Sequence, residues 1–303
     1  MKLAELRQAE LGARLRGAGL RLRTGPVVSE IQSAMPLLAE SLALLYGEYP
    51  VEAPDEFADF HVRVAPPANL RRWWRPQVQF QFDGAPPFHP LPADQAFPIL
   101  EWGLNWCVSG HCHSYLVLHA AVVEKRGRAM LLPAPPGSGK STLCAGLVNR
   151  GWRLLSDELA LIDPTSGGIA PLARPVSLKN ASIDVIRRFA PEAVLSPVVR
   201  DTVKGSVAHM QAPAESVRRA AEPAPARWVV LPRYQAGSEA VLEPMPRGHA
   251  FMQLADSAFN YDLHGAEGFR VLADLVEGCR CYQFTYSELE GAVRIFDALA
   301  EGA

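Results

Sequence analysis

The chain has 303 residues, enough for two modest domains or one large one. Apolar residues make up 49% and charged residues 20%, the usage of an ordinary soluble globular protein. A net charge of −2 argues against a surface built to wrap nucleic acid, and no run of about 18 uncharged apolar residues is long enough to span a membrane. The N-terminal stretch MKLAELRQAELGARLRG lacks the continuous apolar core of a signal peptide. Five cysteines, an odd number set in apolar stretches, fit reduced thiols, so a cytoplasmic location is expected.

In chain order, residues 2–17 read as an amphipathic helix with Leu3, Leu6, Leu11 and Leu15 near one face. From Pro26 to about Pro92 the signals are mainly β, clearest where Val78, Phe80 and Phe82 alternate before the Asp83-Gly84 turn. Residues 93–109 place Phe97, Leu100, Leu104 and Val108 on a helical stripe. Residues 1–110 therefore read as an α+β accessory module, and residues 111–303 as a second, α/β domain. There, Tyr115–Glu124 and Arg128–Pro133 form an apolar hairpin about Lys125-Arg126-Gly127. Ser141–Asn149 reads as a helix closed by Gly151, and Trp152–Leu155 as the next strand. Strands follow at Glu158–Ile162, Ile169–Leu172, Trp228–Leu231, Ala240–Leu242 and Tyr282–Phe284. Ser287 and Glu290 are spaced as a capping box before the last helix, and Ala212–Ala226 reads as a mobile loop or lid.

The strongest motif runs from Leu131 to Thr142. An apolar strand enters a tight loop, Ala134-Pro135-Pro136-Gly137-Ser138-Gly139, and a helix follows whose first turn is Lys140-Ser141-Thr142. Small residues let backbone N–H groups turn inward around phosphate oxygens, and the helix N-terminus adds partial positive charge. Lys140 would reach the β- and γ-phosphates of ATP or a related triphosphate, and Ser141 would supply a hydroxyl to Mg²⁺. Ala134 stands where the usual pattern opens with Gly, so the loop entry needs ordinary backbone angles, which the prolines favour.

Asp157-Glu158 ends the strand that follows the loop helix, at the sheet edge expected to face the loop. One carboxylate can hold Mg²⁺ while the other accepts the proton of an attacking hydroxyl.

These residues resemble the HPr kinase/phosphorylase family, and more closely the bacterial group called HprK-related kinase A. The resemblance rests on Leu118-His119-Ala120, on Gly137–Thr142, on Gly151–Glu158, and on Arg174–Asn180 with Lys204–His209. It covers about residues 115–303. It implies a P-loop core shared with phosphoenolpyruvate carboxykinase, preceded by an N-terminal module. It further implies Asp157 as general base toward a serine hydroxyl, Glu158 near Mg²⁺ and His119 beside the phosphates. Glu158 stands where the family carries a second Asp, and the glycine-rich signature tied to phosphorolysis is missing after the acids, which argues against phosphorylase activity.

Arg174 and Lys179 are further candidates to bind the transferring phosphate, Lys204 and His209 to close over the nucleotide, and Arg233 to contact substrate. Cys107, His111, Cys112 and His113 have no second pair at zinc-site spacing, so packing is the simpler reading. Trp73-Trp74 among Arg71, Arg72 and Arg75 could form a partner surface or stack on a substrate, but core packing with snorkelling arginines is the simpler reading. The expected activity is ATP- and Mg²⁺-dependent transfer to a serine-bearing protein, peptide or small molecule, without nucleic acid or membrane. The alternative is a nucleotide-hydrolysing switch, and whether the chain forms a homo-oligomer stays open.

Overall fold

The computed structural model describes residues 1–135 and 137–302. The fold is mixed α/β with three sheets. The N-terminal region runs α1 (Gln8–Arg16), β1 (Leu20–Thr24), β2 (Val27–Ser33), α2 (Pro36–Leu45), β3 (Phe60–Ala65), β4 (Gln77–Phe82), β5 (Leu91–Pro92) and α3 (Ala96–His111). Its five strands form one sheet in sequence order. The four N-terminal leucines are buried as the periodicity predicts, but Leu6 is extended and breaks the expected helix in two. Helix α2 corrects the expectation of mainly β structure before Pro92. Pro36 begins it, where the missing N–H is harmless, and Leu38, Leu42 and Leu45 go inward at helical spacing. On α3 the predicted stripe of Phe97, Leu100, Leu104 and Val108 is buried.

The rest of the chain runs β6 (Leu116–Lys125), β7 (Arg128–Pro133), α4 (Lys140–Val148), β8 (Arg153–Ser156), β9 (Leu159–Ile162), β10 (Gly168–Ala170), β11 (Val176–Lys179), α5 (Ala181–Phe189), β12 (Val199–Thr202) and β13 (Gly205–Met210). It continues with α6 (Ala214–Arg218), β14 (Ala224–Tyr234), β15 (Val241–Pro244), α7 (Arg247–Asp256), α8 (Tyr261–Gly278), β16 (Arg280–Tyr286) and α9 (Leu289–Glu301). The main sheet is ordered β10-β9-β6-β7-β14-β16-β15, with β8 also paired to β6. Strands β7, β14 and β16 are mutually parallel, whereas β6 is antiparallel to β7, β8 and β9. Strands β11, β13 and β12 form a separate three-stranded sheet.

The apolar strands are explained by burial on both faces. Along β6, Val117, Ala121 and Val123 join one apolar cluster, while Leu116, Leu118, Ala120 and Val122 join the other. Helices α4 and α9 cover the first face, and α7 and α8 the second. The first cluster also takes in Leu38, Leu42 and Leu100 of the N-terminal region. Each such large aliphatic side chain contributes about 1.5–3 kcal/mol by leaving water.

The β6–β7 hairpin turns on Arg126 and Gly127, both at positive φ, with Lys125 opposite Arg128. This is the primed turn whose twist suits a two-residue hairpin. Gly151 ends α4 in the left-handed region, and Trp152 N–H returns to the Leu147 carbonyl, as a C-terminal glycine cap requires. Two expectations are corrected. The Ser287–Glu290 capping box does not form, because the Ser287 hydroxyl donates to the Ser238 carbonyl at 2.7 Å instead. The segment 212–226 is no lid. It carries α6, and it is held to β8 by the Leu154 N–H donating to Ser216 Oγ and by Arg153 donating to the Arg219 and Glu222 carbonyls. Among the described residues no helix is long and apolar enough to cross a membrane.

Candidate active site

The loop between β7 and α4 lies at the C-terminal edge of the parallel strands. Gly137 and Gly139 both take positive φ, while Ala134 does not, in line with the unusual loop entry. A Cβ on Gly139 would also lie 2.5 Å from the Tyr286 hydroxyl. That hydroxyl donates to the Gly139 carbonyl at 2.9 Å, and Tyr234 N–H donates to the Ser138 carbonyl at 2.9 Å. The ends of β14 and β16 therefore brace the loop from below. Neither tyrosine carries a local motif, so sequence reading missed them. What marks them is their place at the edge of strands parallel to β7.

Gly137, Ser138, Gly139, Lys140, Ser141 and Thr142 all line a cleft of about 940 Å³. Pro136 lies outside the described residues. His119 and Glu158 line the same cleft, as do Lys179 and Lys204. Position 119 shares its parity with Val117 and Ala121, which puts His119 on the α4 side of β6. Leu159 is its register partner, so the residue before Leu159 arrives beside it. Glu158 Oε2 is 3.2 Å from His119 Nε2, and Glu158 Oε1 is 3.5 Å from Lys179 Nζ.

The two acids are treated differently. Asp157 is only 5% exposed, and its Oδ2 accepts the Ser177 N–H at 3.0 Å while Oδ1 has no partner. Burial, then the Glu158 charge, pushes its carboxyl up to about 6. Burial would raise Glu158 as well, but the His119 hydrogen bond and the Lys140 and Lys179 charges hold it well below the usual carboxylate range. Lys140 is buried with its Nζ unpartnered, and burial lowers its pKa against the pull of Glu158 and Asp157. Ser138 Oγ is likewise buried without a partner. A buried ammonium and a buried carboxylate oxygen left unpaired are costly unless something else meets them.

Arg174 lies apart from the cleft. Its guanidinium is buried against Asn105 and Glu101 of α3, with the Glu101 oxygen 4.0 Å away, and it lines a small cavity behind Asp157. That cavity, about 20 Å³, shares Glu158 and Ser177 with the cleft and brings in Trp102 and His209. Sequence reading missed Glu101, Trp102 and Asn105, since nothing local signals a contact across so many residues.

The remaining candidates separate cleanly. Lys204 reaches the cleft from the β12–β13 turn. His209 does not close over anything. It is buried on β13 with Phe97 edge-on at 5.0 Å, and burial, then Lys179, pushes its pKa down to about 3. Arg233 is exposed on β14, one residue before the cleft-lining Tyr234. The His111 ring packs against Phe82 at 4.8 Å and Trp106 at 5.2 Å. Trp73 and Trp74 correct the core-packing expectation, being 72% and 62% exposed, with arginines stacked on their faces. They sit on a short turn between Pro67 and Pro76, outside the strand pair that would have buried them.

Compared with known proteins, the chain matches no family model and no curated protein.

Proposed function

We propose that this chain is an ATP-dependent kinase that transfers the γ-phosphoryl group to a hydroxyl, a serine on a protein or peptide. The observation that carries the reading is the unpartnered Lys140 Nζ, buried beside a glycine loop and a helix N-terminus at a cleft large enough for a nucleotide, with the unpartnered Asp157 Oδ1 in the small cavity directly behind Glu158. The resemblance to the HPr kinase/phosphorylase and HprK-related kinase A groups supports it, through the glycine loop, the histidine and an acid pair in which Glu158 takes the place of the family's second Asp.

In this reading the loop amides and Lys140 hold the triphosphate. Ser141 and Glu158, with Asp157 behind them, would hold Mg²⁺. Among the described residues no three or more His, Cys, Asp or Glu side chains converge on a metal site. A hydroxyl and one or two carboxylates still fit Mg²⁺, which takes its other ligands from phosphate and water. When bound, the ion would neutralise charge on the phosphates. Asp157 accepts the serine proton as the serine oxygen bonds to phosphorus and the bond to the β-phosphate oxygen breaks, releasing ADP. His119 fixes Glu158, and Lys179 faces the charge spread over the transferring group. Arg174 acts from behind, holding α3 against the acid strand.

The test is γ-labelled ATP with Mg²⁺ and native-host lysate as the source of acceptors. Label on one acceptor with wild type, but with neither Lys140→Ala nor Asp157→Asn, supports the reading. Phosphate released to water with no labelled acceptor in any fraction sinks it.

A further inference from the structure

Lys204 is presented to the cleft by a braced turn. Thr202 Oγ1 donates to the Gly205 carbonyl at 2.7 Å and accepts the Lys204 N–H at 3.0 Å. Asn180 Oδ1 accepts the Ser206 N–H at 3.0 Å, and Gln95, just before α3, donates to the Asp201 carbonyl at 3.4 Å. The Lys204 ammonium lies 4.9 Å from the centroid of the Trp102 ring on α3, within cation–π range. Among the described residues no carboxylate is within ion-pair distance of it, whereas Lys179 has Glu158. Three ammonium groups, from Lys140, Lys179 and Lys204, line the cleft with Arg188, against the carboxylates of Glu158, Glu288 and Glu290, while Asp157 lies in the small cavity behind Glu158. Partial burial of the ammonium, then the like charge of Lys179, lowers the Lys204 pKa, as expected of a cation short of an anion.

We propose that Lys204 grips the γ-phosphoryl group of a bound nucleoside triphosphate, and that Trp102, from the N-terminal region, positions it. The inference rests on the kinase reading above. The loop amides and the α4 N-terminus account for the phosphates nearest the helix, and Lys140 reaches on toward the γ-phosphoryl from that side. Lys204 has Lys179, Glu158 and Lys140 among its charged neighbours, on the side where the terminal phosphoryl must lie to meet Asp157. Its N–H groups donate to non-bridging oxygens, and no bond is made or broken at the lysine. Trp102 is a positioning residue, since it touches the lysine and not the nucleotide.

The experiment is calorimetric titration of the full chain with Mg²⁺·ATP and, separately, Mg²⁺·ADP. Lys204→Met should weaken ATP binding by roughly tenfold, as a charge-assisted hydrogen bond is lost, while ADP binding stays within about twofold. Lys204→Gln, at the same exposed turn, gives a second reading with a different side chain. Trp102→Leu should show a smaller loss confined to ATP, and Trp102→Tyr, which keeps an aromatic face, should recover it. Equal losses for ATP and ADP, or none for either, overturn the γ-phosphoryl assignment. An ATP-only loss in Lys204→Met with none in Trp102→Leu overturns the part given to Trp102. Wild type that binds neither nucleotide removes the kinase reading and this inference with it, and that arm is read before any variant.

Discussion

Strands β6 and β8 carry a buried charge cluster at each end, and the two ends are finished differently. At one end Arg153 Nε lies 2.6 Å from Glu124 Oε2, both side chains almost wholly buried, in an ion pair whose angle falls short of a directed hydrogen bond. The same guanidinium donates to the Arg219 and Glu222 carbonyls, and Arg219 adds a second cation 3.5 Å from Glu124. Every charge there has a protein partner. At the other end Lys140 Nζ and Asp157 Oδ1 have none. Folding alone accounts for the first cluster, which ties α6 and the segment after it to the sheet. It does not account for the second, because an unmet buried charge works against folding. The proposed kinase activity would account for it, with a triphosphate meeting Lys140 and the acceptor hydroxyl or Mg²⁺ meeting Asp157.

The largest effect expected from this contrast is on turnover. Asp157→Asn should cut phosphoryl transfer by about 10²–10⁴-fold, measured with a confirmed acceptor, while thermal unfolding shows no loss of stability. Normal transfer would remove Asp157 from the base role. The paired end should answer in the opposite way. Arg153→Met leaves the buried Glu124 with only the partly exposed Arg219 as a nearby cation, so the unfolding free energy in urea should drop by up to about 3–5 kcal/mol. The double variant Arg153→Met/Glu124→Gln should regain most of that loss. A single variant as stable as wild type would mean the pair does no more than an apolar contact.

Next in size is a pH effect. The Asp157 carboxyl titrates at about 6 when folded, against a reference of 3.8. Between about pH 4 and 6 the folded chain keeps a proton that the unfolded chain has lost, so this group's contribution to stability falls as pH rises through that window. Glu158, held low, acts in the other sense, adding stability that is lost as pH falls. Metal-free Asp157→Asn should therefore be more stable than wild type at pH 7, by roughly 1–3 kcal/mol, with the gap closing toward pH 4. Parallel curves would show that Asp157 is not held protonated by the fold. The smallest effect belongs to the loop brace. Tyr286→Phe removes one donor to the Gly139 carbonyl, and about 0.5–1.5 kcal/mol of stability should go with it.

What could be read from sequence was what local pattern encodes. The Arg126-Gly127 turn, the stripe on α3, the glycine loop and the acids at the end of β8 all announce themselves through spacing or turn chemistry. His119 is placed only by the resemblance, and its meeting with Glu158 depends on the β6–β9 register. The misses have long-range causes. Ser287 gave up its capping role to a carbonyl far away in sequence, which no local rule could foresee. Arg174 looked like a phosphate ligand because it is a cation near the acids. It is in fact taken by Asn105 and Glu101, whose approach depends on how α3 docks. Helix α2 was obscured because its apolar residues are dense enough to resemble buried strand, and the proline before them reads equally as a turn. Trp102 lacked any signal until Lys204 was found over its ring.

The most direct test of the contrast is thermal unfolding with and without Mg²⁺·ATP for wild type, Lys140→Met and Arg153→Met. The account predicts that nucleotide raises the melting temperature of wild type and, by a similar step, of the less stable Arg153→Met, because the cleft end is intact in both. Lys140→Met should melt at the same temperature with or without nucleotide. An equal rise in all three, or none in wild type, would contradict the claim that the unpaired Lys140 ammonium at the cleft exists to meet a triphosphate.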